Sequence, residues 1–390
     1  MSMKYFFVLG RNPELSRAEV FSYLKKENIS LNYSFFRVNG LLVEIEREIN
    51  LKNVINELGG TIAVGRVLFS GKIRDLLKQI KEKPVYFGRE NKVVYSLLNF
   101  ASDENLSMVL EAMRGNFRNE GLKARYKGVS GTIKLQDGEI SRGSPEKIML
   151  RDMNYFLFSD EKRGNFSFGF LEESYDSAEA EKRDMKKPYR RESLAISPRL
   201  ARILINLSQT KKNEILLDPF CGIGVILGEA LLKGINTIGV DIDKSATENA
   251  RKNMDWFREK YKIDARPIII NKDSINVRID KADGIATEPF LGELMTKMPS
   301  KEKAMQIIFE FEHLIIGVLN NVKKGMKKNA KLAFSSPLIK SQEGRISCNI
   351  NRICEETGLG IYNLSDVNFP IREFRPDQIV GRNIFVLEVV

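Results

Sequence analysis

The stretch Asp218–Gly224, DPFCGIG, lies directly between the apolar run 214–217 and the helix-forming run 225–232. The first run predicts a short buried strand, and the second predicts a helix. Gly222 and Gly224 allow the backbone to pass close to a bound molecule, because glycine has no Cβ atom. The N–H groups at the start of a helix are unpaired and attract negatively charged groups. The sequence therefore predicts a ligand-binding turn between a strand and a helix.

The chain around this turn alternates between predicted strands and helices from residue 193 to residue 390. This alternation is typical of an α/β domain with a parallel, doubly wound, Rossmann-like sheet. Helices are expected at 225–232, 246–260, 303–322 and 346–357, and strands at 214–217, 237–240, 267–270, 284–286, 330–335 and 383–390.

The N-terminal half predicts two smaller α+β units, at 1–70 and 71–171. The first opens with a strand and with a helix that begins at a capping box formed by Ser16 and Glu19. The following residues, 172–192, are polar and lack apolar periodicity, which predicts a linker. Strands are expected at 5–9, 35–38, 40–45, 61–68, 92–100, 146–158 and 165–170, and helices at 50–58 and 105–118.

The net charge of +11, from 62 basic and 51 acidic residues, indicates a polyanionic partner. Clustered basic side chains neutralise phosphates and supply affinity without sequence specificity. A solvated basic surface is the alternative. The candidate phosphate contacts are Lys123, Arg125, Lys127, Lys186, Lys187, Arg190 and Arg191, with Arg372, Arg375 and Arg382 either further contacts or part of a solvated hairpin.

Histidine and cysteine are scarce, with one histidine and three cysteines. The cysteines show no zinc spacing and no disulfide framework, so we expect no metal site. The single histidine, His313, lies in a predicted amphipathic helix, so we exclude hydrolytic triads built on histidine as well as metal sites with several histidines. A cofactor must then supply most of the chemistry. No run approaches the roughly 20 apolar residues that span a bilayer, and the N-terminus lacks signal-peptide features, so we expect a cytoplasmic protein.

An acidic residue, Asp241, follows Asp218 after one predicted helix and one predicted strand. A carboxylate at the end of the second strand accepts hydrogen bonds from ribose hydroxyls. Dinucleotide-binding enzymes share this feature, but a pyrophosphate site does not favour a carboxylate at Asp218, and the G-x-G-x-x-G pattern is absent. A cofactor with an ammonium and a sulfonium group tolerates that carboxylate well.

The run DPFCGIG resembles the first motif, D-P-x-C/F-G-x-G, of S-adenosylmethionine-dependent methyltransferases that modify exocyclic amino groups. The resemblance implies S-adenosyl-L-methionine as cofactor, with Asp241 at its ribose and Asp273 at its adenine amino group. The implied cofactor-binding residues are Ser197, Asp218, Phe220, Cys221, Gly222, Gly224, Asp241, Ile242, Asp273, Ser274 and Thr287.

Segments on both sides of this motif are similar to THUMP-containing tRNA guanosine N2-methyltransferases. The resemblance implies a ferredoxin-like domain at 1–70, a THUMP-like RNA-binding domain at 71–171 and a class I methyltransferase domain at 193–390. It also implies a tRNA substrate and methylation of the exocyclic N2 of guanosine. We expect a monomer, and the sequence leaves open whether a small activating subunit is needed, as it is for the eukaryotic relatives. The similar segments are Arg183-Asp184 with Pro188, 197–202 with 206–207, and 9–16 with Glu19.

The catalytic motif departs from the family pattern, which is D/N-P-P-Y/F after the fourth strand. In that pattern two acceptors hold the protons of the amine, and the aromatic ring stacks on the extruded base. Residues 287–290 read TEPF, so the candidate catalytic residues are Thr287, Glu288, Pro289 and Phe290. We favour a functional variant in which Thr287 and the carboxylate and carbonyl of Glu288 bind the amine. An altered target, an amino-methylating DNA enzyme and an inactive RNA-binding module are the alternatives.

Overall fold

The computed structural model describes residues 2–129, 131–141, 148, 150, 152–190, 196–293 and 295–390. This part of the chain divides into two compact units. The first contains Met1–Arg17, Asn28–Asn56 and Gly60–Tyr175, and the second contains Ala18–Glu27, Glu57–Gly59 and Asp176–Val390.

The first unit is built on a mixed sheet whose described strands run in the order β2-β3-β1-β4-β10-β9-β5-β6. Successive side chains of a strand point to opposite faces, and both faces are covered. Phe156 and Phe158 belong to one apolar core, and Tyr155 and Leu157 belong to another. The strands up to this point of the chain are β1 Met3–Leu9, β2 Leu31–Arg37, β3 Gly40–Ile45, β4 Thr61–Gly71, β5 Lys92–Phe100, β6 Lys123–Tyr126, the paired β7 Ile133–Lys134 and β8 Ile140–Ser141, β9 Met153–Asp160 and β10 Asn165–Ser174, and the helices are α1 Pro13–Lys26, α2 Leu51–Glu57, α3 Ile73–Glu82 and α4 Asp103–Asn119.

Strands from both predicted N-terminal units lie side by side in this sheet. β4 pairs with β10 in antiparallel fashion, from Phe166 opposite Gly71 to Ser174 opposite Ala63. The described residues form one continuous sheet across the predicted division at residue 70. The ferredoxin-like and THUMP-like assignments stay predictions.

The second unit confirms the predicted α/β fold. Its sheet has the order β13-β12-β11-β14-β15-β19-β17, and the strands from β13 to β15 are parallel. β19 is antiparallel to β15. The elements are α5 Ser177–Lys186, α6 Pro198–Leu207, β11 Ile215–Asp218, α7 Val225–Leu232, β12 Asn236–Asp241, α8 Lys244–Tyr261, β13 Pro267–Asn271, β14 Ala282–Thr287, α9 Lys301–Val322, a 3₁₀ turn Lys323–Gly325, β15 Met326–Ser341, β16 Gly344–Ser347, α10 Ile350–Thr357, β17 Leu359–Ile361, β18 Ile371–Glu373 and β19 Val380–Val389.

The strand order of this sheet reverses between β11 and β14. The chain first adds β12 and β13 on one side of β11, and it then adds β14 and β15 on the other. Ligands of open α/β sheets bind at such a reversal, outside the carboxyl ends of the strands. The loop that begins after Asp218 and the segment that begins at Thr287 both lie at this edge.

The predicted linker at 172–192 is in part helical, since it contains α5. Asp176 caps the helix, because its side chain accepts a hydrogen bond from the Glu179 N–H. α5 buries Ala180 and Arg183. The sequence hides this packing, because the buried surface includes the aliphatic stem of a charged side chain rather than an apolar stripe.

The C-terminal part differs from the expectation at one predicted helix. Residues 346–357 divide into the end of β16 and the helix α10, which begins after Asn349. The Asn349 side chain accepts hydrogen bonds from the N–H groups of Asn351 and Arg352, so this cap fixes the start of α10. No helix in the described part of the chain is long and apolar enough to cross a membrane.

Candidate active site

The loop between β11 and α7 has the backbone geometry that its glycines predict. Gly222 has φ +51° and Gly224 has φ +83°, both in the left-handed region. The left-handed conformation favours glycine at position 224, where a Cβ atom would also lie 2.9 Å from the Met254 Cε and displace that methyl group. The Cys221 N–H donates to the Val240 carbonyl at 2.9 Å and ties the loop to β12.

Asp218 is a buried carboxyl at the base of this loop, with 1% of its surface exposed. Its Oδ1 accepts hydrogen bonds from the Thr287 hydroxyl at 2.6 Å and from the Phe220 N–H at 3.2 Å. Burial raises the pKa of Asp218 to about 7, and the charges of Asp241 and Glu288 act in the same direction against these hydrogen bonds. Asp218 therefore joins the loop to the end of β14 from beneath the surface.

Asp241 holds the loop from the end of β12. Its Oδ2 accepts a hydrogen bond from the Gly222 N–H at 2.8 Å, and its Oδ1 accepts one from the Asp243 N–H at 2.9 Å. A carboxylate has about four acceptor positions, so these bonds leave room for ligand hydroxyls. The next residue, Ile242, is 74% exposed and offers an apolar surface beside that carboxylate.

Asp273 and Ser274 follow β13 at the same edge of the sheet. The Asp273 Oδ1 accepts a hydrogen bond from the Ile275 N–H at 2.9 Å, which shapes a tight turn. The Ser274 hydroxyl donates to the Pro219 carbonyl at 2.5 Å and so connects this turn to the loop after β11.

These segments line a pocket of about 880 Å³. Its wall also contains residues of the TEPF segment, so both halves of the expected site share one space. A second cavity of about 660 Å³ has Phe290–Glu293 in its wall as well. The residues that line the first pocket are Pro219, Phe220, Gly222, Asp241, Ile242, Asp273, Ser274, Ile275, Glu288, Pro289, Phe290, Leu291, Gly292, Glu293, Met295, Thr296, Leu314, Asp377, Gln378, Ile379, Val380 and Arg382.

The structure differs from the expected role of Thr287. The side chain is fully buried, and its hydroxyl donates to Asp218 instead of lining the pocket. Thr287 lies behind the wall because it is the last residue of the central strand β14. Its position makes it a support for Asp218 rather than an acceptor for a substrate amine.

Glu288 lines the pocket, and its carboxylate is held by two side chains. The Arg382 Nε donates to its Oε2 at 2.6 Å, the Arg382 Nη2 donates to its Oε1 at 3.0 Å, and the Ser335 hydroxyl donates to its Oε2 at 3.1 Å. The two alternatives for Arg382 were a phosphate contact and a solvated hairpin, and the structure shows neither, because the guanidinium is paired with a carboxylate.

The other expected site residues fall into two groups. Pro289 is buried, Phe290 is 58% exposed, and both line the pocket. Cys221, Gly224 and the exposed Ser197 are not part of its lining among the described residues. The Cys221 side chain is buried in an apolar cluster, and burial raises the pKa of its thiol far above the usual range, so it is unsuited to act as a nucleophile.

The basic residues expected at 182–191 are only partly available to a partner. Lys187 is 8% exposed and its Nζ lies 2.5 Å from the Asp184 carboxylate, so the expected RNA contact at Lys187 is wrong. Lys186 and Arg190 are exposed, and Arg191 lies outside the described residues. Buried cations are paired because leaving them unpaired away from water is costly.

In the first unit, β6 carries the other expected basic cluster. Lys123, Arg125 and Lys127 are exposed, and β6 is the last strand in the order of its sheet. The Lys127 Nζ lies 3.3 Å from the Asp152 carboxylate, so this cation is already paired. Lys123 and Arg125 alternate with Ala124 along the strand and so project on one face.

Sequence reasoning missed the contribution of the C-terminal strands to the pocket. Val380 and Arg382 of β19 and the preceding loop residues Asp377 and Gln378 belong to its wall, and Ser335 holds Glu288 from β15. One signal was available, because Ser335 lies in the strand that follows the TEPF strand in a predicted parallel sheet. The antiparallel return that brings Arg382 beside that strand had no local signal.

Comparison with known proteins begins with residues 187–312, which match the family UPF0020, described as RMKL-like, methyltransferase domain. A tRNA (guanine(10)-N2)-dimethyltransferase of Methanothermobacter thermautotrophicus is 38% identical over 118 residues, or 30% of this chain. That match spans 33% of the length of the relative. A probable tRNA (guanine(10)-N2)-dimethyltransferase of Methanothermococcus thermolithotrophicus is 30% identical over 148 residues, which cover 35% of this chain and 79% of that protein.

A solved structure shares the fold over nearly the whole length. The crystal structure of TrmN from Thermus thermophilus is 13% identical, with a TM-score of 0.52, and the match covers 99% of this chain and 100% of that one. The class I methyltransferase fold expected from the sequence is thus confirmed.

Proposed function

The chain belongs to the tRNA (guanine-N2-)-methyltransferase family, and we propose that it transfers methyl groups from S-adenosylmethionine to the exocyclic N2 of a guanosine in tRNA. One observation carries the proposal above all. A single pocket of about 880 Å³ contains both the Asp241 and Asp273 turns and the Glu288–Phe290 segment. A methyl donor and an acceptor base therefore have adjoining walls in the same space.

The donor side of the pocket fits the chemistry of this cofactor. Gly222 has no atom within 4 Å of the place where a Cβ would lie, so the loop leaves open space for a ligand. Asp241 would accept hydrogen bonds from the ribose hydroxyls, and Asp273 would face the adenine amino group. When bound, S-adenosylmethionine supplies an electrophilic methyl group. The exposed Ile242 would cover one face of the adenine.

The acceptor side would bind and orient the base. Phe290 is exposed at the wall, where its ring can stack on an extruded base. The Glu288 carboxylate and its main-chain carbonyl would each accept a hydrogen bond from one N–H of the amine. Acceptors in this place draw the nitrogen lone pair out of conjugation and toward the methyl group, and they favour a fixed attack geometry.

Transfer of tritiated methyl groups to an unmodified tRNA transcript tests the function. We expect label in N2-methylguanosine with the wild type, none with Asp218→Ala, and a strongly reduced rate with Glu288→Gln. Asp264→Ala, an exposed carboxylate elsewhere in the same unit, should retain the wild-type rate. Transfer by the chain alone would also mean that no activating subunit is needed.

The outcomes distinguish the alternatives. Label in N6-methyladenosine, or transfer of label to DNA, would mean that the acceptor is not the proposed guanosine of tRNA. Binding of both cofactor and tRNA without any transfer would instead favour an inactive RNA-binding module.

We propose in addition that the first unit docks the tRNA through its edge at β6, the last strand of the sheet among the described residues. Lys123→Ala with Arg125→Ala should weaken tRNA binding, and the slope of log K against log salt should fall by roughly 0.7 to 0.9 for each lost phosphate contact. Lys52→Ala with Lys81→Ala, two exposed lysines of the same unit, is the matched control. An unchanged slope in the β6 variant would contradict this docking edge.

A further inference from the structure

We propose that Arg382 is a positioning residue that fixes the Glu288 carboxylate, so that its Oε1 atom offers one acceptor position to an exocyclic amine. The inference rests on the proposed function and deepens it. It assigns the missing acceptor of the family motif to a unit of three residues, Glu288, Arg382 and Ser335.

The Glu288 carboxylate accepts three hydrogen bonds in this unit, two from the forked guanidinium of Arg382 and one from Ser335. Arg382 donates from Nε to Oε2 at 2.6 Å and from Nη2 to Oε1 at 3.0 Å, which is the bidentate arrangement that defines both the position and the plane of a carboxylate. The Ser335 hydroxyl adds a bond to Oε2 at 3.1 Å. The three side chains come from the end of β14, from β19 and from β15, so the acceptor is braced by three strands.

Counting the donors identifies the atom that remains available. A carboxylate has about four acceptor positions, two on each oxygen. Among the described residues, two donors reach Oε2 of Glu288 and one reaches Oε1. One position on Oε1 is therefore left for a substrate proton. The second N–H of the amine would donate a hydrogen bond to the main-chain carbonyl of Glu288.

Burial makes this pairing necessary. The Glu288 side chain is 8% exposed and that of Arg382 is 21% exposed. Burial disfavours the charged guanidinium, but the hydrogen bonds and the charge of Glu288 outweigh this effect and raise the pKa of Arg382 above its ordinary value. A flexible glutamate at this place would lose its defined direction without the fork, because it has three rotatable bonds.

Thr287 does not compete for this role. Its hydroxyl is buried and directed at Asp218. The family acceptor has thus moved one residue along the chain, from position 287 to position 288. The longer glutamate side chain needs an external brace there, which Arg382 supplies.

The test is single-turnover transfer of tritiated methyl groups to an unmodified tRNA transcript, at saturating cofactor. We expect Arg382→Ala to lower the rate constant roughly 30-fold, within the range for loss of a preorganised electrostatic contact, while the Kd values of cofactor and tRNA stay within about twofold. Arg382→Lys should recover part of the rate, because it keeps the charge but not the fork. Arg278→Ala, with a side chain 90% exposed, is the control for loss of one arginine.

A double variant separates positioning from a general structural role. If Arg382 acts through Glu288, then Arg382→Ala combined with Glu288→Gln should be no slower than Glu288→Gln alone. Ser335→Ala is a small change that preserves folding even where Arg382→Ala does not, and it should slow transfer about threefold. Circular dichroism and thermal unfolding of each variant check that the fold is kept.

Each result decides the inference. An active wild type with an Arg382→Ala rate within twofold of it overturns the inference and leaves the proposed function in place. The inference is also overturned if the double variant loses the product of the two single rate reductions, or if Ser335→Ala transfers methyl groups at the wild-type rate. No transfer by the wild type removes the proposed function and the inference together.

Discussion

On the donor side of the pocket, Asp218–Gly224, Asp241 and Asp273 keep the residue types of the family pattern, and on the acceptor side Thr287 and Glu288 replace them. Both sides nevertheless present carboxylates at the carboxyl ends of parallel strands. The difference lies in how each carboxylate is held. Backbone N–H groups of neighbouring turns hold Asp241, whereas side chains from other strands hold Glu288.

This difference indicates which side of such a pocket can change. Backbone donors are present whatever the sequence, so the donor side depends on a few glycines and acids. The acceptor side depends on side chains that lie 47 and 94 residues from Glu288 in the chain. An acceptor can therefore move by one residue, provided that distant strands supply the new brace.

The largest expected effect concerns the donor side. Asp241→Ala removes the proposed ribose acceptor and also the partner of the Gly222 N–H, so cofactor affinity should fall about 100-fold, or roughly 2.7 kcal/mol. Isothermal titration with S-adenosylmethionine measures this change. Asp241→Asn keeps one acceptor oxygen and should lose less. An unchanged Kd for Asp241→Ala would mean that the cofactor lies elsewhere.

The acceptor side gives the next effect. Phe290→Ala removes the proposed stacking surface and should lower kcat/KM for tRNA about 30-fold, within the roughly 1–3 kcal/mol of a base–aromatic stack. Phe290→Tyr should retain activity. Phe309→Ala is a matched control, since Phe309 is 53% exposed and lines neither of the two described cavities. An equal loss of cofactor affinity in Phe290→Ala would show that Phe290 also supports cofactor binding, and the distinction between donor side and acceptor side would then be wrong.

The donor side was predictable from sequence because its determinants are local. Gly222 and Gly224 have the left-handed backbone that the DPFCGIG run requires, and Asp241 follows one helix and one strand later. The alternation of strands and helices also predicted the parallel sheet. These features depend on neighbours in the chain, and so periodicity and spacing reveal them.

The acceptor side was only partly predictable, because tertiary packing decides it. Nothing near Thr287 shows that its hydroxyl is directed at Asp218, since adjacency of β11 and β14 brings the two together. The same reason hides the pairing of Lys187 with Asp184, which turns an apparent phosphate contact into a buried ion pair. Charge runs reveal composition but not which cations are already paired.

Restoring the family residue at position 287 sharpens the comparison. Thr287→Asp places a second carboxylate within reach of the buried Asp218, so we expect a loss of about 2 kcal/mol in the free energy of unfolding at pH 8. Asp218→Asn combined with Thr287→Asp should recover much of this loss. Urea unfolding measures both, with Thr132→Asp at an exposed site as control. Equal stability of Thr287→Asp and wild type would contradict the buried contact.

The last prediction is a pH dependence of stability at the Asp218–Thr287 contact, which links the two sides. The pKa of Asp218 is about 7 in the folded chain and about 3.9 in an unfolded one, so the folded state binds more protons between these values. Stability from this group is greatest at low pH, and it falls as pH rises through the window by at most about 1.4 kcal/mol per unit before levelling off near pH 7. Asp218→Asn lacks this dependence. The wild-type minus variant difference in unfolding free energy, measured by urea titration from pH 4 to 8, should therefore decrease with pH and level off near pH 7. A difference that stays flat would show that burial beneath the pocket does not keep the Asp218 carboxyl protonated.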